Sequence, residues 1–285
     1  MRRLGLFMAI VLFSVCAWAE MPSGDSIKAV ADAWLAKRPA PGFAATMTME
    51  DAAKVQAQYT ALVAANLGEA VGYKAALTNP TVQKRFGYDR PLRGTLYAKM
   101  ILPSGAKVPA AYGARPVYEA DLIAVVGDAL KLMTAKTALE ALEGIAVFRP
   151  FIELPDLAYD PQVKLDGVAL LAINAAARLG VLGEPVRLPA TEESVKRLAD
   201  MQIDVLDQGA ARLGGGKGAD VLDNPLNAVL WLAESLRAEG KSLKDGDLLS
   251  LGSFSALLPP KAGSTATVRY TGLSFVPVEV SVRFE

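Results

Sequence analysis

The chain of 285 residues contains no histidine and a single cysteine, Cys16. Without an imidazole, Ser-His-Asp and Cys-His catalysis are excluded, and so is any histidine-ligated zinc site. Acid–base chemistry is left to Asp, Glu, Lys, Tyr or water. A metal site must be built from oxygen, which favours Mg2+, Mn2+ or Ca2+. An excess of one charge sign is also missing. Thirty basic and thirty acidic residues cancel, so the balance points neither to nucleic acid nor to an anionic membrane surface. Hydrophobic residues make up 52% of the chain, enough for a sizeable core and too many for a disordered or fibrous protein.

A long apolar run is absent as well. The one at residues 4–15 is too short to span a bilayer. It follows Arg2 and Arg3 and precedes Ala17-Trp18-Ala19, the pattern of a secretory signal cleaved after Ala19. A lipoprotein signal ending at Cys16 is the competing reading, but Val15 is bulky where a small residue is wanted. Cleavage after Ala19 removes the only cysteine and two of the 30 basic residues, leaving 28 against 30 acidic ones, a net charge of about −2. A thiol-free mature chain neither forms nor needs a disulfide in an oxidising compartment. The expectation is a periplasmic protein with no membrane attachment after cleavage.

Beyond residue 20, apolar spacing predicts helices at 26–37 and 49–66, the second stopped by Gly68. Short β-rich runs follow at 93–101, 117–126, 145–152, 199–206, 247–253, 264–270 and 275–284, with helices at about 134–143, 166–179 and 224–239. Pro225 in the first turn favours the start of the last helix. The chain therefore divides into the signal segment 1–19, a helical part 20–70 and a β-rich domain 71–285, an α+β protein. The glycine-rich GGGKG at 214–218 lacks a Ser or Thr after Lys217 and reads as a flexible hairpin loop rather than a phosphate-binding loop.

Four segments carry residues with chemical potential. In VYEADLIAVV, Glu119 and Asp121 stand two apart on a strand, so both project from one face. Two carboxylates there can share a divalent cation. A solvated strand start, or an ion pair with Arg115, explains them equally well. In VFRPFIELPDL, Glu153 interrupts an apolar run and must be protonated or paired, with Arg149 four residues earlier as the plain partner. Asp156 in the same segment has the setting of turn chemistry. In VGYKAALTNP, Lys74 lies in a largely uncharged stretch before a Thr78-Asn79-Pro80 turn. It can bind a carboxylate or move a proton, or simply extend its ammonium to solvent. Gly252 and Ser253 end an apolar strand, where N–H groups and a hydroxyl can meet an anionic oxygen, although Gly-Ser is also an ordinary turn.

In this order, VGYKAALT, YEADLIAVVGDAL, the Glu153 strand and the tail from DNPLNAVLWLAESL to LLSLGS resemble the fumarylacetoacetate hydrolase superfamily. The closer likeness, over roughly residues 50–285, is to its branch of 2-keto-4-pentenoate hydratases and 4-oxalocrotonate decarboxylases. The resemblance implies a mixed β-roll or sandwich core of the superfamily's C-terminal type with a small helical N-terminal part, and a homo-oligomer. It further implies a Mg2+ or Mn2+ site from Glu119, Asp121 and Glu153, with Lys74 as the catalytic group and Thr78, Asn174, Gly252 and Ser253 at a small 2-keto acid. On that basis the expected activity is hydration of a 2-keto-4-enoate presented as its 2-hydroxydienoate. Decarboxylation or keto–enol tautomerisation of a related acid, or keto-acid binding without turnover, are the alternatives. The superfamily's C–C hydrolases use a His-Glu pair, which this chain cannot supply. Two residues depart from the pattern: Asp121 stands where Glu is usual, and Ile173-Asn174 where an Asp-Asn pair is common. The export signal is a third departure.

Overall fold

The computed structural model describes residues 21–43 and 46–285, so the signal segment lies outside the described residues. Among those described, no helix is long and apolar enough to cross a membrane. Helices α1 (Gly24–Leu35) and α2 (Met49–Leu67) come first. Thr48 and Asp51 close a capping box at the start of α2, and Gly68 ends it at positive φ.

After Gly68 the chain enters two sheets. The larger holds β1 (Ala70–Ala76), β2 (Leu92–Tyr97), β3 (Ile101–Pro103), β5 (Glu119–Val126), β6 (Ile145–Leu154), β7 (Leu179–Leu182) and β10 (Leu248–Ser250), in the order β2-β1-β10-β5-β6-β7-β3. The smaller holds β4 (Ala106–Val108), β8 (Gln202–Leu206), β9 (Arg212–Lys217), β11 (Thr265–Thr271) and β12 (Val278–Phe284), in the order β4-β12-β11-β8-β9. The architecture is the expected mixed α+β fold. The period of two explains how the large sheet serves two purposes. Ala120, Leu122, Ala124, Ile152 and Leu154 point to one face and join the main core with Val205, Val268, Val280, Val282 and Leu232. The opposite face carries Glu119, Asp121 and Glu153 at one end and an apolar patch of Ile123, Phe151, Leu96 and Leu182 beyond.

Several local expectations change. The GGGKG run is strand β9, paired with β8 from Gln202↔Lys217 to Leu206↔Arg212. At Gly216 a side chain has no room, since a Cβ would lie 2.3 Å from the carbonyl oxygen of Phe254. The strand expected at 199–206 begins only at Gln202, because α7 (Glu192–Asp200) takes the preceding residues. The helix expected at 134–143 is two short ones, α4 (Ala129–Thr134) and α5 (Ala138–Glu143), separated by the capping residue Thr137. The turn after Thr78 starts a helix, α3 (Pro80–Phe86), with Asn79 accepting from the N–H of Val82 at 2.9 Å. The helix α8 (Pro225–Ala238) forms as expected.

The helix predicted over 166–179 stops early, as α6 (Gly167–Ala172). Asn174, Ala175 and Ala176 then turn through the left-handed region with φ of 60°, 51° and 59°. For alanine this costs on the order of 1–2 kcal/mol per residue. The turn returns the Ala176 carbonyl to the N–H of Asp156, at 3.0 Å, and brings the Ala175 carbonyl to Lys74, at 3.0 Å.

The helical N-terminal part is fastened here. Asp156 does make its expected turn contact, accepting from the N–H of Ala158 at 3.2 Å, but it also accepts from Ala114 and Arg115 and pairs with Arg178 at 3.1 Å. Arg178 donates to the carbonyls of Trp34 and Tyr112, and its guanidinium lies 4.3 Å above the Trp34 ring. Asp156 is wholly enclosed. Arg178→Met therefore leaves a buried carboxylate without its cation and is expected to destabilise the protein by about 3–5 kcal/mol, read as a lower midpoint in chemical denaturation.

Candidate active site

Strand register gathers the predicted residues. Glu119 of β5 lies directly opposite Glu153 of β6. Lys74 of β1 lies opposite Ser250 of β10 on one side and Gly94 of β2 on the other. Ser250 in turn faces Ile123, two residues beyond Asp121. Residues directly opposite share a face, so Lys74, Ser250, Asp121, Glu119 and Glu153 all rise from the same side of the sheet.

Lys74 is almost fully buried and ion-pairs with Glu153, itself buried. Its second acceptor is the Ala175 carbonyl, at 3.0 Å. Arg149, the plain partner for Glu153 in the sequence, instead donates to the Gly183 carbonyl at 2.8 Å. Arg115 likewise turns to the carbonyl of Tyr159, at 3.4 Å, and pairs with neither acid of β5. Burial pushes Glu119 well above the usual carboxylate range, Glu153 across the register adds to this, and Lys74 opposes it. Burial and Glu153 push Asp121 up to about 7, against the Ser250 hydroxyl, which holds its charged form.

A cavity of about 700 Å3 opens above this cluster. Lys74, Thr78, Glu119 and Ser253 line it together with the apolar Val82, Phe86, Leu170 and Leu257, and with the exposed Arg85 and Asp220. A concave, mostly apolar pocket of this size with a few convergent polar groups suits a small organic acid.

Three predicted site residues are placed otherwise. Asn174 spends its side chain on Thr95, accepting from its N–H at 2.7 Å and donating to its carbonyl at 2.8 Å. It braces the left-handed turn, a conformation asparagine tolerates better than most residues, and does not line the cavity. Gly252 has φ 110°, and a Cβ there would sit 2.1 Å from Thr78 Oγ1. Its N–H is already taken by Asp121, so it supports the turn and offers no free donor to an anion. The Asp121 carboxylate is turned into this same turn. Among the described residues, no three carboxylate, thiol or imidazole groups are gathered closely enough to hold one ion. Glu119 and Glu153 face each other across the register, while the Asp121 carboxylate is taken up by the 250–252 turn.

Other members of the site carry little sequence signal. Ser250 donates to Asp121 Oδ2 at 2.5 Å, and the Tyr270 hydroxyl donates to the carbonyl of Asp121 and reaches that of Phe151 at 3.1 Å. The inward alternation of β10 and β11 marks both as buried, but not their partners. The Ala175 carbonyl has no signal beyond the end of a helix.

No family model matches the chain. It is 32% identical over 208 residues to the 2-keto-4-pentenoate hydratase of Burkholderia vietnamiensis, covering 72% of this chain and 76% of that protein. It is 32% identical over 222 residues to the 2-keto-4-pentenoate hydratase of Paraburkholderia phymatum, covering 77% and 81%. Its fold matches that of the 4-oxalocrotonate decarboxylase of Pseudomonas putida G7 with a TM-score of 0.80 and 25% identity over 92% of this chain and 97% of the other, in a structure complexed with magnesium and adipate. The same decarboxylase complexed with calcium and acetate gives a TM-score of 0.79 at 24% identity. With fold, site order and relatives in agreement, the chain belongs to the 2-keto-4-pentenoate hydratase family of enzymes, within the fumarylacetoacetate hydrolase superfamily.

Proposed function

We propose that the protein is a divalent-metal-dependent lyase that hydrates a 2-keto-4-enoate, taken up as its 2-hydroxydienoate tautomer. This rests above all on the register that sets Glu119, which lines the cavity, directly opposite Glu153, the ion-pair partner of the cavity-lining Lys74. Together with Asp121, the three acids outnumber the one ammonium on that face, and burial already pushes Glu119 and Asp121 toward their protonated forms. A divalent ion would relieve that cost. The donor set is all oxygen, and Mg2+ is commonly held by one or two carboxylates, with water and substrate completing its shell. Glu119 and Glu153 are the residues to hold such an ion. The relatives bound to magnesium and calcium support a divalent ion in this fold. Bound there, the ion would supply Lewis-acid stabilisation of a developing enolate.

The protein's own groups do the rest. Lys74, clamped by Glu153 and the Ala175 carbonyl, presents a fixed ammonium for the substrate carboxylate or for proton transfer. Thr78 offers a hydroxyl at the floor beside Ser253, whose own hydroxyl donates to the Ser255 carbonyl at 2.6 Å, and the apolar wall of Val82, Phe86 and Leu257 receives the hydrocarbon end. In 2-hydroxypenta-2,4-dienoate the 2-hydroxyl loses its proton, C5 gains one, and a 2-keto-3-enoate results. Water then adds across that double bond, its oxygen at C4 and its hydrogen at C3.

The test is the ultraviolet absorbance of 2-hydroxypenta-2,4-dienoate. It is expected to fall with enzyme and Mg2+ or Mn2+, and to stay constant after EDTA treatment. Decarboxylation is the second reading, favoured by the near-complete structural match to a decarboxylase. CO2 release from 4-oxalocrotonate, without consumption of the dienoate, selects it. A folded protein that binds oxalate with metal but consumes neither compound is a keto-acid-binding protein.

A further inference from the structure

Asp121 is enclosed more completely than either glutamate, with no exposed surface. Its Oδ1 accepts from three backbone N–H groups, of Leu122 at 2.5 Å, Leu251 at 3.1 Å and Gly252 at 3.0 Å. Its Oδ2 accepts from the Ser250 hydroxyl at 2.5 Å. Each carboxylate oxygen has about two lone-pair sites, so the three N–H groups fill Oδ1 and Ser250 takes one of the two sites on Oδ2. The backbone is fixed too, because the Tyr270 hydroxyl donates to the Asp121 carbonyl. The glutamates are held far less. Glu153 takes one ammonium and Glu119 borders the cavity beside Ser253.

Three of the four donors on Asp121 are consecutive residues of one segment, Ser250, Leu251 and Gly252. That segment runs straight into Ser253, which lines the cavity. It also sets Gly252 against Thr78 in a space that admits no Cβ. The aspartate therefore grips the turn that forms one side of the floor. A glutamate at 121 would need one more methylene inside a closed space.

We infer that Asp121 is a positioning residue, which anchors the 250–253 turn and sets Ser253 and Thr78 at the cavity floor, while cation binding falls to Glu119 and Glu153. The inference deepens the metal-dependent reading above and rests on it for the metal-binding comparison. Asparagine can keep the anchor, since its carbonyl accepts the three N–H groups and its amide can donate to the Ser250 oxygen. It is a poor replacement for a charged metal ligand. The two roles thus separate.

The test uses the full mature protein and Asp121→Asn, Asp121→Ala and Asp121→Glu, with Mn2+ and then oxalate titrated calorimetrically, and with amide hydrogen exchange and Tm recorded without metal. The anchor role predicts that Asp121→Asn keeps its Mn2+ Kd within about threefold of wild type and keeps protection at Leu251 and Gly252. Asp121→Ala loses that protection at least about tenfold and binds oxalate about tenfold more weakly at saturating Mn2+. Asp121→Glu lowers Tm by about 5 °C or more with no gain in Mn2+ affinity. Tenfold or greater loss of Mn2+ affinity in Asp121→Asn with wild-type protection would overturn the inference. So would tighter Mn2+ binding by Asp121→Glu at unchanged Tm. If the wild type binds no Mn2+, the metal-dependent reading fails, and the exchange data on Asp121→Ala still decide the anchor, with unchanged protection refuting it.

Discussion

Replacing Lys74 by methionine is expected to lower kcat/KM for 2-hydroxypenta-2,4-dienoate by roughly 10²–10⁴-fold, the range for loss of a positioned acid–base or charge-stabilising group. The same substitution is expected to cost about 3–5 kcal/mol of stability, because it strands the buried Glu153 without its cation. The stability effect is isolated by the double variant Lys74→Met/Glu153→Gln, whose turnover is lost through Glu153 as well, so the activity effect is read from the single variant. Neutralising the glutamate removes the stranded charge and recovers much of the stability, but turnover stays lost. Arginine should not rescue activity either. Lys74 is almost fully buried, lies between Gly94 and Ser250, and points its ammonium at two acceptors, Glu153 and the Ala175 carbonyl. A planar guanidinium is larger and directs its donors as a fork. Steady-state kinetics and urea denaturation of the three variants check this, and Lys74→Met with turnover near wild type would remove Lys74 from the chemistry.

The second large effect is on the pH dependence of the metal-free protein. Glu119 is held well above its ordinary range and Asp121 near 7, both by burial and by Glu153. A carboxyl whose folded-state pKa exceeds its unfolded value binds more protons when folded. Its contribution to stability is complete below the unfolded pKa, about 4, and is lost as pH rises through the folded value. The EDTA-treated enzyme should therefore lose Tm between pH 5 and 8. Mg2+ or Mn2+ should restore more at pH 8 than at pH 5, because at low pH the cation competes with the proton held by Glu119. At a concentration a hundredfold above Kd the gain is about 2.7 kcal/mol, or roughly 5–10 °C in Tm for a chain of this size. Glu119→Gln should flatten the slope and abolish most of the metal-dependent rise. A Tm that climbs from pH 5 to 8 without metal contradicts this assignment of the buried acids.

Much of the site could be read from the chain because its residues break local rules. An acid inside an apolar strand, such as Glu153, and a lysine in an uncharged one, such as Lys74, stand out against the alternation around them. The spacing of Glu119 and Asp121 placed both on one face, which the register bears out. What spacing cannot reveal is how far each side chain is already engaged. The Asp121 carboxylate is directed by Ser250, Leu251 and Gly252, about 130 residues away along the chain. Asn174 is directed by Thr95, 79 residues earlier. The left-handed turn at 174–176 was invisible for a different reason. Alanine is a good helix former, and tertiary contacts to Lys74, Asp156 and Thr95 hold the turn in that conformation. The glycines of β9 are hard to read for a similar reason, because Gly215 and Gly216 let the strand lie against the Ile203 and Phe254 carbonyls, contacts that only the tertiary fold creates.

Crystals of the enzyme soaked with Mn2+ and oxalate, with anomalous diffraction recorded for manganese, give the most direct test. One anomalous peak is expected beside the cavity floor, about 2.0–2.6 Å from carboxylate oxygens of both Glu119 and Glu153, with oxalate on its cavity side facing Lys74. No peak at this position, or a peak whose ligands exclude both glutamates, would contradict it.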